Sequence, residues 1–298
     1  MNKRVQQSCG QRVFTVLNTL FMILFMAIIL YPVLNILAVS LSSDTPVLTG
    51  KVTIYPVGID LAAYKIAFSN KLLLSSYMNT IFVAVVGSLL SVIMTSFAAY
   101  PLAYVDFYGK KLISFLIMFT MWFSAGMIPS FMVIRSLGLF NSLFSLILGG
   151  LVSAYNTIIL RNYYNTIPSA LVESAYLDGA NDFQVLFHIV TPMAKPALAI
   201  IVLWGVVGFW NDFFGPLLYL HDSNKYTLQL VLRDIVMEAS GTELYGMSNA
   251  TVDGASHSSI SEQTRNAVVF LSMVPMLIIY PFLQKYFVTG MMIGAVKG

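Results

Sequence analysis

The chain has 298 residues, of which 58% are hydrophobic and 10% charged. Soluble domains carry roughly 25% charged residues, so this composition excludes an ordinary soluble domain and points to an integral membrane protein. A formal charge of +3 is too small to argue for nucleic acid as a partner, and the single cysteine, Cys9, excludes an internal disulfide.

Residues 1–12 carry Lys3, Arg4 and Arg12 and no acid. The apolar run at about 13–39 exceeds a signal-peptide core of about 7–15 residues and is long enough to cross a bilayer. It reads as an uncleaved first span with its N-terminus in the cytoplasm. Residues 40–75 hold the breakers Pro46, Pro56 and Gly58 and read as an outside loop with at most a short helix near 60–69. A second span follows at about 77–104, and Lys110 and Lys111 place the turn 106–111 inside. The third span is about 112–134, with a broken outer end from Ile128-Pro129 to Ser142. The fourth is about 142–165, with Arg161 at its cytoplasmic end, and the fifth about 195–220. Residues 221–265 are polar and outside, and a sixth span at about 266–287 returns the C-terminal tail, 288–298, to the cytoplasm. Nine Lys and Arg then lie inside against seven outside. The compact clusters at 1–12 and 106–111 favour this orientation. The expected fold is an all-α, six-span membrane protein with one transmembrane domain over 1–298. The prolines at 32, 101, 129, 216, 275 and 281 lie in or beside spans, where each removes a backbone hydrogen bond and is expected to kink a helix.

Between the fourth and fifth spans lies a loop, residues 166–194, and residues 173–199 form a polar island between apolar segments. Residues 168–178 read as a short helix after Ile167-Pro168, and Gly179 permits a sharp change of direction. Phe183, Leu186, Phe187 and Val190 recur at helical spacing, so a second short helix follows, ended or kinked by Pro192. Two short helices at a bend, fixed to two spans, make a knob that can transmit a push.

This stretch resembles the cytoplasmic "EAA" loop of maltose-type ABC importer permeases. Glu173, Ala175, Asp178, Gly179, Ala180, Phe187, Ile189, Pro192 and Pro196 fit that pattern; Ser174 and Thr191 are small departures. The likeness extends over about residues 13–298. Leu137-Gly138-Leu139, Asn141-Ser142, residues 208–214 (GFWNDFF) and Leu228-Gln229-Leu230 are similar to the branch associated with oligosaccharides and polysaccharide fragments, while Thr227 stands where that branch often has proline. The resemblance implies a type I importer fold. It implies a second homologous permease, two ATPase subunits and an extracytoplasmic solute-binding lipoprotein as partners. It also implies an oligosaccharide substrate, alternating access and a bacterial plasma membrane with both termini cytoplasmic. By the same resemblance Glu173 faces the ATPase. Ala175, Gly179 and Ala180 give close approach there, and Asp178 either joins the contact or organises the bend. The tail, with Gly294 and Lys297, is expected as a flexible strip between the ATPase subunits.

No G-x-x-x-x-G-K-[ST] phosphate loop occurs, so ATP and Mg2+ are expected at a separate ATPase and no cofactor on this chain. His188, His221 and His257 are scattered, and no catalytic or metal cluster is expected. Asp212 is an ionisable residue within the predicted fifth span, a default functional position. With Trp210 and Asn211 it suits a sugar, through a stacking face and an amide that both donates and accepts; it can equally pair with a helix end or with the second permease. Trp122, Ser124, Tyr155 and Asn156 are weaker pathway candidates of the same kind. Residues 226–237 read as a short amphipathic helix outside, with Leu228, Val231, Leu232 and Ile235 on one face. A different solute class for the same importer, or a self-contained secondary transporter, is the alternative reading.

Overall fold

The structure is a computed structural model that describes residues 9–239 and 261–295, and the side chains of 10–237 and 261–281. Among these residues the chain is helical, with one isolated β-bridge between Ser42 and Ile59. The helices are α1 (Cys9–Ser40), α2 (Asp44–Leu48), α3 (Ala62–Ser69), α4 (Lys71–Tyr104), α5 (Lys110–Trp122), α6 (Met127–Ser136) and α7 (Leu143–Gly149). They continue as α8 (Ala154–Tyr164), α9 (Ser169–Leu177), α10 (Asp182–Met193), α11 (Lys195–Asn211), α12 (Phe214–Tyr219), α13 (Leu228–Ala239) and α14 (Glu262–Ala295). Three described helices are long and apolar enough to cross a membrane, and up to six crossings exist if each bent helix pair counts as one.

Two compact units are formed. Of the described residues, one takes in 9–70, 238–239 and 261–273. In it the end of α1 packs Ala38 and Val39 against Val47 of α2 and Val52. Asn35 Nδ2 donates to the Thr53 carbonyl at 2.7 Å, and the Ser40 and Tyr64 hydroxyls bond at 2.7 Å. These contacts order the loop after the first span. The loop holds α2 and α3, one helix more than the sequence suggests.

The other unit takes in 71–237 and 274–295, and it is organised on α4. This helix starts six residues before the predicted span, because extended Asn70 alone separates it from α3. Small and hydroxyl residues of α4 let α11 approach closely, as is usual between membrane helices. A Cβ on Gly205 would lie 3.0 Å from Ser88 Oγ, and one on Gly87 would lie 2.7 Å from the Phe209 ring. Near its start α4 also holds the segment before α13. Asn79 Nδ2 donates to the carbonyls of Asn224 and Tyr226, and Thr80 Oγ1 accepts from Leu228 N at 2.8 Å.

Three predicted spans are interrupted. α5 and α6 meet at 117° across residues 123–126. The break therefore precedes Ile128-Pro129; of the segment expected to be broken, 128–136 is a regular helix and 137–142 is non-helical turn. α7 and α8 meet at 52° across 150–153, where the Ser153 hydroxyl accepts from Asn156 N at 3.3 Å. α11 ends at Asn211, and α12 begins two residues beyond Asp212. Pro129 and Pro216 are third residues of new helices, so neither kinks a running one: an N–H in the first turn has no intrahelical partner to lose. Pro32, Pro101, Pro275 and Pro281 lie within continuous helices.

Asn141, at φ 57°, is the one non-glycine residue with positive φ among the described residues. Its side-chain oxygen accepts from His221 N and Asp222 N at 3.1 Å each, its N–H donates to the Tyr219 carbonyl at 2.8 Å, and its own carbonyl accepts from Lys225 Nζ at 2.8 Å. It thereby ties the loop before α7 to the one after α12. Asn141→Gly keeps the backbone but loses the side-chain acceptor, whereas Asn141→Ala loses both. Alanine is expected to cost about 1 kcal/mol more than glycine in thermal unfolding of the purified protein, the size of one left-handed residue.

Candidate functional site

The knob is built by local signals that close both of its ends. α9 stops at Leu177 in a Schellman motif. Ala180 N donates to the Ala175 carbonyl at 2.9 Å, Gly179 N donates to the Tyr176 carbonyl at 3.0 Å, and Gly179 takes φ 83°. A Cβ on Gly179 would touch nothing within 4 Å, so the demand for glycine is conformational. Gly179→Ala is expected to lower stability by roughly 1–2 kcal/mol, and Gly179→Asn by less, since Asn tolerates the left-handed region; thermal unfolding of the two variants checks the order.

α10 opens with a reciprocal capping box. Asn181 Oδ1 accepts from Gln184 N at 3.0 Å, and Gln184 Oε1 accepts from Asn181 N at 2.9 Å. Of the two outcomes expected at Pro192, an end or a kink, the helix does not end at the proline itself. The helix passes through it to Met193 by a π turn over Leu186–Val190, with Thr191 N bonding the Leu186 carbonyl. The wider turn makes room for a ring that cannot donate and would crowd the carbonyl four residues back. The chain then turns 86° at Ala194 into α11.

One core joins the knob to its helices: Val172 and Ala175 of α9, Val185, Leu186 and Val190 of α10, Leu160 and Tyr164 of α8, Ala99 and Tyr100 of α4, and Ala197, Leu198 and Ile201 of α11. Residues 97, 100 and 104 of α4 lie on one helical face. The Phe97 ring meets Phe183 and Phe187 edge-on at 6.1 and 5.9 Å. The Tyr100 hydroxyl bonds that of Tyr176 at 2.8 Å, and Tyr176 donates to Asp182 Oδ1 at 2.6 Å. Tyr104 donates to the Tyr164 carbonyl at 2.7 Å. Burial first, and then the bond to Asp182, pushes the Tyr176 phenol above its ordinary range.

The predicted knob residues divide between two faces. Glu173 and Asp178 are exposed, and Gly179 shapes the bend between them and α10. Ala175, expected to give close approach to a partner, turns inward and is 7% exposed, so its small side chain serves the chain's own packing; half-buried Ala180 packs on the same core. Leu177, which sequence reading passes over, is 89% exposed at the tip beside Asp178. In the tail, the backbone is helical through Ala295, so Gly294 belongs to α14 and not to a flexible strip. Gly290 and Gly294 each cost only about 1 kcal/mol against alanine in a helix and need not end one. Lys297 and His257 lie outside the described residues.

The interrupted helices surround a cavity of about 390 Å³. Its polar lining is Ser91, Ser145, Asn156 and Asp212, its aromatic lining Trp204, Phe209 and Tyr219, and Gly149, Gly150, Gly205, Gly208 and Gly215 open the space. Asp212 is the one carboxylate in that lining, but it is also a structural cap. Its Oδ1 accepts from Phe214 N at 3.1 Å and Gly215 N at 3.0 Å, holding the start of α12. It sits at a helix break instead of within a span. The other candidates scatter. Trp210 is 3% exposed and packs edge-on against Tyr77 at 6.2 Å, away from the cavity. Asn211 bonds the Val207 carbonyl and Gln229. Tyr155 rests on Trp204 at 5.6 Å, one ring behind the lining, and Trp122 is an exposed end of α5. Ser124 Oγ accepts from Gly126 N within the α5–α6 break. Ser91, Ser145, Trp204, Phe209 and Tyr219 escape sequence reading; the glycines spaced through apolar segments were the available signal. Among the described residues no group of three or more His, Cys, Asp or Glu could hold a metal ion.

The helix expected over 226–237 is α13 from Leu228 onward; Leu228, Val231 and Leu232 are buried and Ile235 is half-buried. Burial pushes the Asp234 carboxyl above its ordinary range, with Arg233 at 3.1 Å drawing it partly back.

Broken apolar helices around a small, mostly apolar cavity with four polar side chains in its lining, joined by one core to a knob with an exposed tip, are the architecture of a multi-pass membrane protein. The chain is 39% identical over 288 residues to the polygalacturonan/rhamnogalacturonan transport system permease protein YtcP of Bacillus subtilis (strain 168), covering 96% of this chain and 99% of that one. It is also 39% identical over 289 residues to the protein LplC of the same organism, covering 96% of each. A chain from the crystal structure of a bacterial ABC transporter involved in the import of the acidic polysaccharide alginate superposes with a TM-score of 0.84 at 36% identity, over 95% of this chain and 99% of that one. No protein-family model matches. The chain belongs to the permease subunits of carbohydrate ABC transporters.

Proposed function

We propose that this chain forms half of the translocation pathway of an ATP-driven importer for an oligosaccharide, working by alternating access. It pairs with a second, homologous permease. Two ATPase subunits, which hold ATP and Mg2+, dock under the knobs, with Glu173, Leu177 and Asp178 on the contact face; Gly294 and Lys297 lie near the same subunits. A solute-binding lipoprotein delivers substrate from outside. Both termini lie in the cytoplasm of a bacterial cell, and six spans cross its membrane. Closure of the ATPases on ATP draws the knobs together and opens the pathway outward; hydrolysis returns it inward.

The observation that carries this reading is the weld between the knob and α4, α8 and α11 through one buried core, which leaves Glu173 and the tip free for a partner. The substrate class is supported by the names of the relatives and by the cavity. Serine hydroxyls, the Asn156 amide and an aromatic wall suit sugar hydroxyls and C–H faces. The test is reconstitution in vesicles with the second permease, the ATPases and the binding protein. ATP supplied on the ATPase side is expected to drive accumulation of oligogalacturonides. Accumulation driven by an ion gradient without ATPases would instead identify a secondary transporter.

A further inference from the structure

We infer that the hydroxyl relay Tyr100–Tyr176–Asp182 makes the knob and α4 move as one body, so that displacement of the knob reaches the far end of that helix. The inference rests on the reading of the knob as the ATPase-docking element. Three observations carry it. First, the relay has a defined direction. Tyr176 commits its only hydroxyl proton to Asp182, so Tyr100 must be the donor to Tyr176. Second, it crosses the bend. Tyr176 belongs to α9 and Asp182 to α10, on either side of Gly179, so one hydroxyl staples both knob helices to α4. Third, its anchor is buried. Tyr100 is 4% exposed, while Tyr176 and Asp182 lie at the surface, so the relay ties a buried residue of α4 to the outer side of the knob. The edge-on contacts of Phe97 with Phe183 and Phe187 hold the surfaces together but tolerate sliding, whereas the hydrogen bonds fix register. Tyr100, Tyr176 and Asp182 are thus positioning residues.

The test uses the complete assembly in a Cys9→Ser background, Cys9 being the only cysteine of this chain. A nitroxide is placed either at His188→Cys on the knob or at Leu74→Cys near the start of α4, both exposed, and its distance to one fixed label on the second permease is measured before and after trapping with ATP, Mg2+ and vanadate. In the wild-type relay both labels are expected to shift in the same fraction of molecules. In Tyr100→Phe and Tyr176→Phe the fraction shifted at residue 74, relative to that at 188, is expected to fall roughly fivefold, the worth of one hydrogen bond. Asp182→Asn keeps an acceptor oxygen and is expected to keep the wild-type ratio. A wild-type ratio in both Phe variants overturns the relay and leaves the importer reading intact. So does an equal fall at both labels, which would mean general loosening. If the knob label of the wild-type relay does not respond to nucleotide, the importer reading fails and takes the relay with it.

Discussion

Glu173→Lys is expected to reduce ATP hydrolysis stimulated by the loaded binding protein roughly 10- to 100-fold in the reconstituted assembly, the range set by a few kcal/mol for reversing a charge at a docking contact. Glu173 stands on the exposed face of α9, while Val172 and Ala175 on the opposite side fill the core. The substitution therefore acts on the partner and leaves the fold nearly untouched, within about 0.5 kcal/mol for a surface change. Glu173→Gln, which removes the charge without reversing it, is expected to do less. Stimulated turnover that stays at the wild-type level in Glu173→Lys would remove this residue from the contact.

The second large effect concerns the Phe209 ring. A Cβ on Gly150 would lie 2.8 Å from that ring and one on Gly87 2.7 Å, closer than packed carbons approach. Alanine at either position must push the ring aside, and the open space beside it is the cavity that Phe209 and Gly150 both line. Overpacking of this kind costs about 1–3 kcal/mol. Gly150→Ala is thus expected to destabilise the protein by that amount and to slow transport by narrowing the cavity. Phe209→Ala removes the clash in advance, so Gly150→Ala in that background is expected to be nearly neutral. A double-mutant cycle on thermal unfolding measures the difference, and additive losses would mean that the ring and the glycine do not meet.

Legibility in the sequence followed the range of the interactions. The knob was readable because its signals are local: a proline before α9, Gly179 at its end, and apolar residues at helical spacing in α10. The π turn at Leu186–Val190 was not, because a proline in sequence allows either an end or an accommodation, and packing of Val185, Leu186 and Val190 decides between them. Long apolar runs marked α1, α4 and α14, but the breaks at 123–126, 150–153 and 212–213 are only two to four residues long and lie inside apolar stretches. They depend on single caps, such as Ser153 and Asp212, whose partners are only two or three residues away yet whose effect is to redirect a span. The cavity was the least legible element. Its lining comes from α4, α7, α8, α11 and α12, and nothing in the sequence brings Ser91, Asn156 and Trp204 together. Trp210 illustrates the same limit, since an aromatic beside Asp212 in sequence points to Tyr77 in the fold.

The most direct test of the knob as the ATPase-docking element is site-directed cross-linking in the Cys9→Ser background. Single cysteines at Glu173 and Leu177 on the knob would be compared with one at Leu48, which is 81% exposed on α2. The expected result is a cross-link to the ATPase subunit from residues 173 and 177, changing with ATP, and none from residue 48. Absence of cross-links at both knob positions in an assembly that still hydrolyses ATP and transports sugar would contradict it.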